Sequence, residues 1–219
     1  MFKALLECLF GTPSKDEESS SPATVQTNTR SVQAPASPKR KLTFNPDTIT
    51  SDAIDGAFEH LGLLIPSVKP SIEAAIYRCM AEGFKAVALS HRKDGEQLSK
   101  EEKKAFGIRS NAFMSKRAAS ELSEKGTLKP LEAHYLTLWR ADFTIDRAKR
   151  ILTASGHEFG RISQLGAHRD GCAFCTENYD SYIDPFTASP FPPAECPNAA
   201  CGMMYHASVD WVAVHKSRC

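Results

Sequence analysis

Near the C-terminal end of a 219-residue chain, Cys172-Ala-Phe-Cys175 is followed after twenty residues by Cys196-Pro-Asn-Ala-Ala-Cys201. The arrangement Cys-x2-Cys-x20-Cys-x4-Cys suits a zinc ion. Zinc takes four tetrahedral ligands, with thiolate sulfurs at about 2.3 Å, and a Cys-x2-Cys knuckle presents two sulfurs to one ion while a second pair closes the site. Four thiolates leave no position for water or substrate, so the expected zinc is structural, and its binding is folding energy for the segment that holds it. His168 stands four residues before Cys172 and His206 five after Cys201, so either could replace a thiolate or support the ligands from outside. Cysteines that merely pack, or an iron–sulfur cluster, are the alternatives, the latter usually coming with other spacings.

Several catalytic patterns fail on inspection. His157-Glu158 has no second histidine three residues further on, where a helical zinc-protease motif needs one. The deaminase pattern requires His-x-Glu and a proline before its cysteine pair, whereas Gly171 precedes Cys172. His168-Arg169-Asp170 spells a kinase tripeptide, but no glycine-rich phosphate loop accompanies it.

The elements that must position these cysteines are expected to be helical. Ser51-Asp52 caps a first helix carrying Ile54, Phe58 and Leu61 up to Pro66, and a second runs from Pro70 to His91 with Ile72, Ile76, Cys79 or Met80, Phe84 and Val87 along one stripe. Cys79 there reads as a small core residue. Ser99-Lys-Glu-Glu102 has capping-box spacing and should start another helix. Ser110 to Glu124 reads as a further helix, stopped by Gly126 in a left-handed conformation. Pro130 opens a long helix to Ala154, with Gly156 beyond its end. Its Leu131, Leu138, Ile145 and Leu152 recur every seven residues, a seam that makes it the spine of the protein, with His134 and Trp139 packed beside the seam.

The expected fold is therefore mainly α. Residues 1–10 form a short amphipathic terminal segment, 11–48 a disordered linker, 49–156 a helical domain, and 157–219 a small four-cysteine zinc module of knuckle or ribbon type. The linker follows from a run of Ser, Thr, Pro, Gln and Ala that buries too little apolar surface to offset the entropy of ordering. At its end Pro38-Lys39-Arg40-Lys41 forms a basic cluster, either a solvated charge run or a contact for nucleic acid or an import receptor.

Composition excludes several classes. Hydrophobic residues at 42% and charged residues at 24% fit a globular chain rather than a collagen or a polytopic membrane protein. Twenty-seven Lys and Arg against 26 Asp and Glu give a net charge of +1, so bulk charge demands no polyanionic partner. Seven cysteines, four of them clustered, fit thiols in a reducing compartment better than a secreted disulfide framework. Met1 to Phe10 is too short to span a bilayer and lacks a signal-peptide pattern, so no transmembrane segment and an intracellular, cytoplasmic location are expected, nuclear if the cell is eukaryotic.

The last third of the chain resembles the C-terminal part of phage minor head, or head-morphogenesis, proteins. The matching residues are Gly156 after the long helix, Asp170 before Cys172 and Cys175, and Pro192-Pro193-Ala194-Glu195-Cys196-Pro197-Asn198 leading to Cys201. The likeness covers residues 140–201 and departs where the family usually places a histidine after the two prolines, a ligand role that Cys196 takes here; two alanines are inserted before Cys201, and the family's terminal Cys-Arg-Cys element is missing. The resemblance implies a non-enzymatic virion or assembly component that bridges portal, capsid shell and packaged DNA.

Three readings of function follow. The first is a zinc-stabilised structural or interaction protein with protein partners, of which a phage head component is one case. The second is a zinc-dependent nucleic-acid-binding protein, supported by Lys39, Arg40, Lys41 and by 14 basic against 9 acidic residues over 92–150, but opposed by 4 basic against 7 acidic over 151–219. The third is a zinc-supported nuclease-type hydrolase with His168 or His206 as general base, for which the sequence offers neither a second metal site nor a carboxylate cluster. No catalytic residue is assigned, and an enzyme is the less favoured reading.

Overall fold

The structure is a computed structural model that describes residues 40–165, 173–177, 181–194, 196, 198 and 201–218. The expected amphipathic segment at 1–10, the linker up to Lys39, His168 and Cys172 lie outside the described residues.

Helices dominate, as the periodicity predicts. α1 (Ile49–Leu61) turns Ile54, Phe58 and Leu61 inward, and the chain then passes through a 3-10 turn at Pro66–Val68 into α2 (Lys69–Glu82) and α3 (Phe84–Lys93). The single helix expected from Pro70 to His91 is thus two helices. Gly83 lies between them at φ 87° and ψ 140°, a left-handed-side conformation open to glycine and strained for a side-chain-bearing residue, and it ends the α2 hydrogen-bond ladder. α4 (Lys100–Ala105) begins at the expected capping box, with the Ser99 hydroxyl accepting from the Glu102 amide and the Glu102 carboxylate accepting from the Ser99 amide.

The helix expected over 110–124 shrinks to α5 (Lys116–Ser120). Ser115, fully buried, caps it by accepting from the Ala118 amide, and the residues before it are drawn into a bridge between Gln97 and Ser115. Tertiary pairing overrides helix propensity here. Gly126 also departs from expectation: it belongs to a 3-10 turn, Lys125–Leu128, and is no left-handed stop.

α6 (Ala133–Ser155) is the long helix, three residues shorter at its start than Pro130 suggests. Leu138 (0% exposed) and Ile145 (5%) are the buried centre of its seam, while Leu131 and Leu152 at the ends are half-buried. β1 (Gly160–Leu165) follows, then α7 (Ala173–Glu177), β2 (Tyr182–Ile183), β3 (Met204–Val209) and α8 (Trp211–Ser217). The strands form an antiparallel sheet of order β2-β1-β3, with Ile162 opposite both Ile183 and Ala207. Gly160 starts this sheet against the end of α6, where a Cβ would lie 1.7 Å from the Ala154 carbonyl oxygen, so only glycine fits.

Two clusters of buried residues meet along α6. One holds Phe58, Ile72, Ile76, Cys79, Val87, Met114, Leu138 and Ile145; the other holds Ile151, Ala154, Ile162, Cys175, Cys196, Cys201, Met203 and Tyr205. Residues 40–48, whose composition belongs with the linker, are not all solvent-facing. Leu42 and Phe44 pack on the cysteine-bearing cluster, and the Thr43 hydroxyl donates to the Ala188 carbonyl at 2.6 Å. Among the described residues no helix is long and apolar enough to cross a membrane.

Candidate metal centres

Three of the four predicted cysteine ligands can be placed, and all three are buried: Cys175 at 1%, Cys196 at 2% and Cys201 at 2% exposed. They arrive from different elements. Cys175 lies on α7, Cys196 follows the turn that Pro193 closes by accepting from the Cys196 amide at 3.0 Å, and Cys201 leads into β3. Ile151 and Ala154 of α6 and Ile162 of β1 share their cluster.

Two arginines of α6 complete this neighbourhood. Arg140 is 5% exposed and Arg147 1%, seven residues apart on the helix. Arg147 donates from Nε to the Pro190 carbonyl at 2.6 Å, from Nη1 to the Met203 carbonyl at 3.2 Å and from Nη2 to the Thr144 hydroxyl at 3.3 Å. Burial pushes its guanidinium below the usual arginine range; Cys201, by charge and by a side-chain hydrogen bond, Tyr205 and Cys196 act in the opposite sense. Arg140 is lowered by burial too, opposed by Cys201 and Cys196 and reinforced by Arg147, and its Nη1 is buried without a hydrogen-bond partner. Among the described residues no carboxylate acts on either guanidinium; the groups that do are the Cys196 and Cys201 thiols and, on Arg147, the Tyr205 phenol, whose own pKa burial raises. A buried cation without a counter-charge is costly, so this pair demands negative charge nearby. The Asn198 Nδ2, in the loop between Cys196 and Cys201, and the Gln164 Oε1 of β1 are further buried atoms without a partner.

His206, unlike the three placed cysteines, is exposed. Within β3 only Tyr205 is buried, following Met203 just before the strand, and the Cα of His206 pairs with that of Ser163. Lys41 is exposed, and Arg40 is engaged internally, paired with Asp184 and stacked 4.3 Å from the centre of the Phe186 ring. A pocket of about 440 Å³ opens beside them; Arg40 pairs with Asp184 and Arg161 with Asp210 in its lining, to which Glu158 adds one more acid.

Among the described residues the group that could hold a metal ion lies in the helical body and does not include the cysteines. His91 in the last turn of α3, Glu121 just after α5 and His134 in the first turn of α6 bring their ligand atoms within 4.8 Å of one another. The His134 Nε2 lies 2.7 Å from the Glu121 Oε2, and the His91 and His134 rings are 5.1 Å apart at 19°. Burial works against the Glu121 carboxylate, but hydrogen bonds from His134 and Arg117 outweigh it and bring its pKa down to about 2. Burial first, then His134, lowers His91 to about 4, with Glu121 opposing. An ionised carboxylate beside a neutral imidazole is the protonation state a cation requires.

Sequence reasoning reached His134 only as a packed residue, and it is indeed 3% exposed. It missed His91, Glu121, Arg140 and Arg147. The three ligand candidates are separated by 30 and 13 residues with no motif spacing, so no local pattern announces them. Arginine on a helix reads as surface, and two residues on from Leu138 and Ile145 both arginines fall on the face of α6 turned away from that seam. No protein-family model matches this chain, and no curated protein or solved structure matches it.

Proposed function

We propose that this is a non-enzymatic structural and interaction protein whose C-terminal module is stapled by zinc on Cys172, Cys175, Cys196 and Cys201. The observation that carries the reading is the pair of buried arginines. Zinc with four thiolates is a doubly negative centre, and Arg140 and Arg147 supply two positive charges beside Cys196 and Cys201, where no carboxylate among the described residues does. The unpartnered donors of Arg140 and Asn198 suit thiolate acceptors of such a centre. Closed coordination gives the ion a folding role: the cysteine-bearing cluster is small, and the ion fastens it to the end of α6.

The partners are proteins, and the role we propose, resting on the resemblance of residues 140–201, is a virion-head component at the junction of portal and capsid shell. The test is metal analysis of the purified chain with limited proteolysis of Cys201→Ser. The reading expects stoichiometric zinc in the natural protein, and loss of both zinc and protection over residues 165–206 in the variant while α1 to α6 stay resistant. Full zinc and unchanged protection in Cys201→Ser would refute the four-sulfur site.

A further inference from the structure

We propose that His91, Glu121 and His134 bind a second divalent cation of the zinc class, within the helical body and independent of the cysteine centre. The three residues come from the end of α3, the end of α5 and the start of α6, and meet only because the helices pack. Two imidazole nitrogens and one carboxylate are the donor set of borderline metals such as zinc, cobalt and nickel, and a poor one for magnesium or calcium, which prefer oxygen alone.

The geometry suits an ion of that size. Bonds of about 2.0–2.2 Å in a tetrahedral arrangement place neighbouring ligand atoms roughly 3.3 Å apart. The His134 Nε2 and Glu121 Oε2 stand at 2.7 Å, and all three ligand atoms lie within 4.8 Å, so capture requires shifts of side chains and not of helices. The carboxylate is already aimed: Arg117 donates from Nε to Glu121 Oε1 at 2.9 Å, leaving Oε2 for the site. Such outer hydrogen bonds orient ligating carboxylates in known metal sites. Among the described residues no hydrogen bond engages the His91 ring nitrogens, whereas the His91 carbonyl is held by the Ser115 hydroxyl at 3.0 Å, so the ring is placed by its backbone and its lone pair is available.

Three protein ligands leave a fourth position. His91 lines a pocket of about 220 Å³ together with Ser71, Arg78, Ser90, Asp94 and Arg117, which gives the ion an entry path and its fourth ligand, a water, a place. Bound there, the ion ties α3, α5 and α6 together.

Titration of the metal-free full chain with Co2+ tests this. The cysteine centre gives sulfur-to-metal charge transfer in the near ultraviolet; a site of nitrogen and oxygen ligands gives weak visible bands without it. The proposal expects one Co2+ of the second kind per chain in the natural protein and in Cys201→Ser, so it stands or falls separately from the cysteine reading. Glu121→Gln should weaken it at least about 100-fold, and Arg117→Met, which touches only the outer carboxylate oxygen, about 10- to 100-fold, with helical circular dichroism retained as the check on folding. Absence of the second spectrum in the natural protein, or its persistence at unchanged affinity in Glu121→Gln, overturns the site.

Discussion

Replacing Arg147 by methionine separates a charged centre from an ordinary thiol cluster, because the two give opposite signs. Methionine fills much of the volume of the arginine stem, so cavity effects are small. The variant leaves the Pro190 and Met203 carbonyls without the donors that reach them at 2.6 and 3.2 Å, a cost of about 1–3 kcal/mol each where such groups are buried. Against this stands the desolvation of a guanidinium 1% exposed, which the variant relieves by several kcal/mol. With protonated thiols beside it these terms roughly cancel, and the variant is neutral or more stable. With ionised, metal-bound thiolates the variant also strips a buried counter-charge, and the net loss becomes about 3–5 kcal/mol. Urea unfolding with zinc saturating and again with chelator reads both cases. The expected result is a loss of that size in zinc that shrinks in chelator, with a parallel fall in zinc affinity. A variant as stable as the natural protein in zinc, at unchanged affinity, would refute the counter-charge argument.

Leu138→Asp should abolish cooperative folding, since it exchanges a side chain 0% exposed at the middle of α6 for an unpaired carboxylate, at a cost of several kcal/mol within a total of about 5–15 kcal/mol; a folded monomer by circular dichroism would mean the seam is a docking surface. Gly160→Ala should cost at least about 1–3 kcal/mol, because its Cβ would fall 1.7 Å from the Ala154 carbonyl oxygen and only backbone movement relieves that. A calorimetric scan should show the transition drop by several degrees, and an unchanged transition would contradict the close approach of β1 to α6. Cys79 should resist alkylation in the native protein at pH 8 and react once unfolded, since burial, with Asp142 adding, raises its thiol to about 11; mass spectrometry showing rapid native labelling would contradict this.

How far the sequence could be read depended on the range of the interaction. The stripes of α1 and α6 are local, and the Ser99 to Glu102 capping box is found as expected, but Ser51 and Asp52, expected to cap the first helix, lie inside α1, which already starts at Ile49. The break at Gly83 and the loss of helix before Ser115 are not local: one is a backbone conformation that many helical glycines never adopt, and the other is decided by pairing with Gln97. The sheet escaped notice because its strands show no period-two apolar pattern: β1 buries Ile162, Ser163 and Gln164 in succession, and β3 buries only Tyr205. The packing of Leu42 and Phe44 was hidden by neighbours that read as linker. Cysteine spacing announced one candidate metal centre; Arg140 and Arg147, which surround it, and the three residues of the other are brought in by tertiary packing alone.

Zinc-edge X-ray absorption of the purified Glu121→Gln chain tests the cysteine centre most directly, since that variant takes one of the three ligands from the site of the helical body and weakens it. The account predicts one zinc per chain with a shell of four sulfurs at about 2.3 Å. A chain without stoichiometric zinc, or zinc held by nitrogen and oxygen alone, would contradict it.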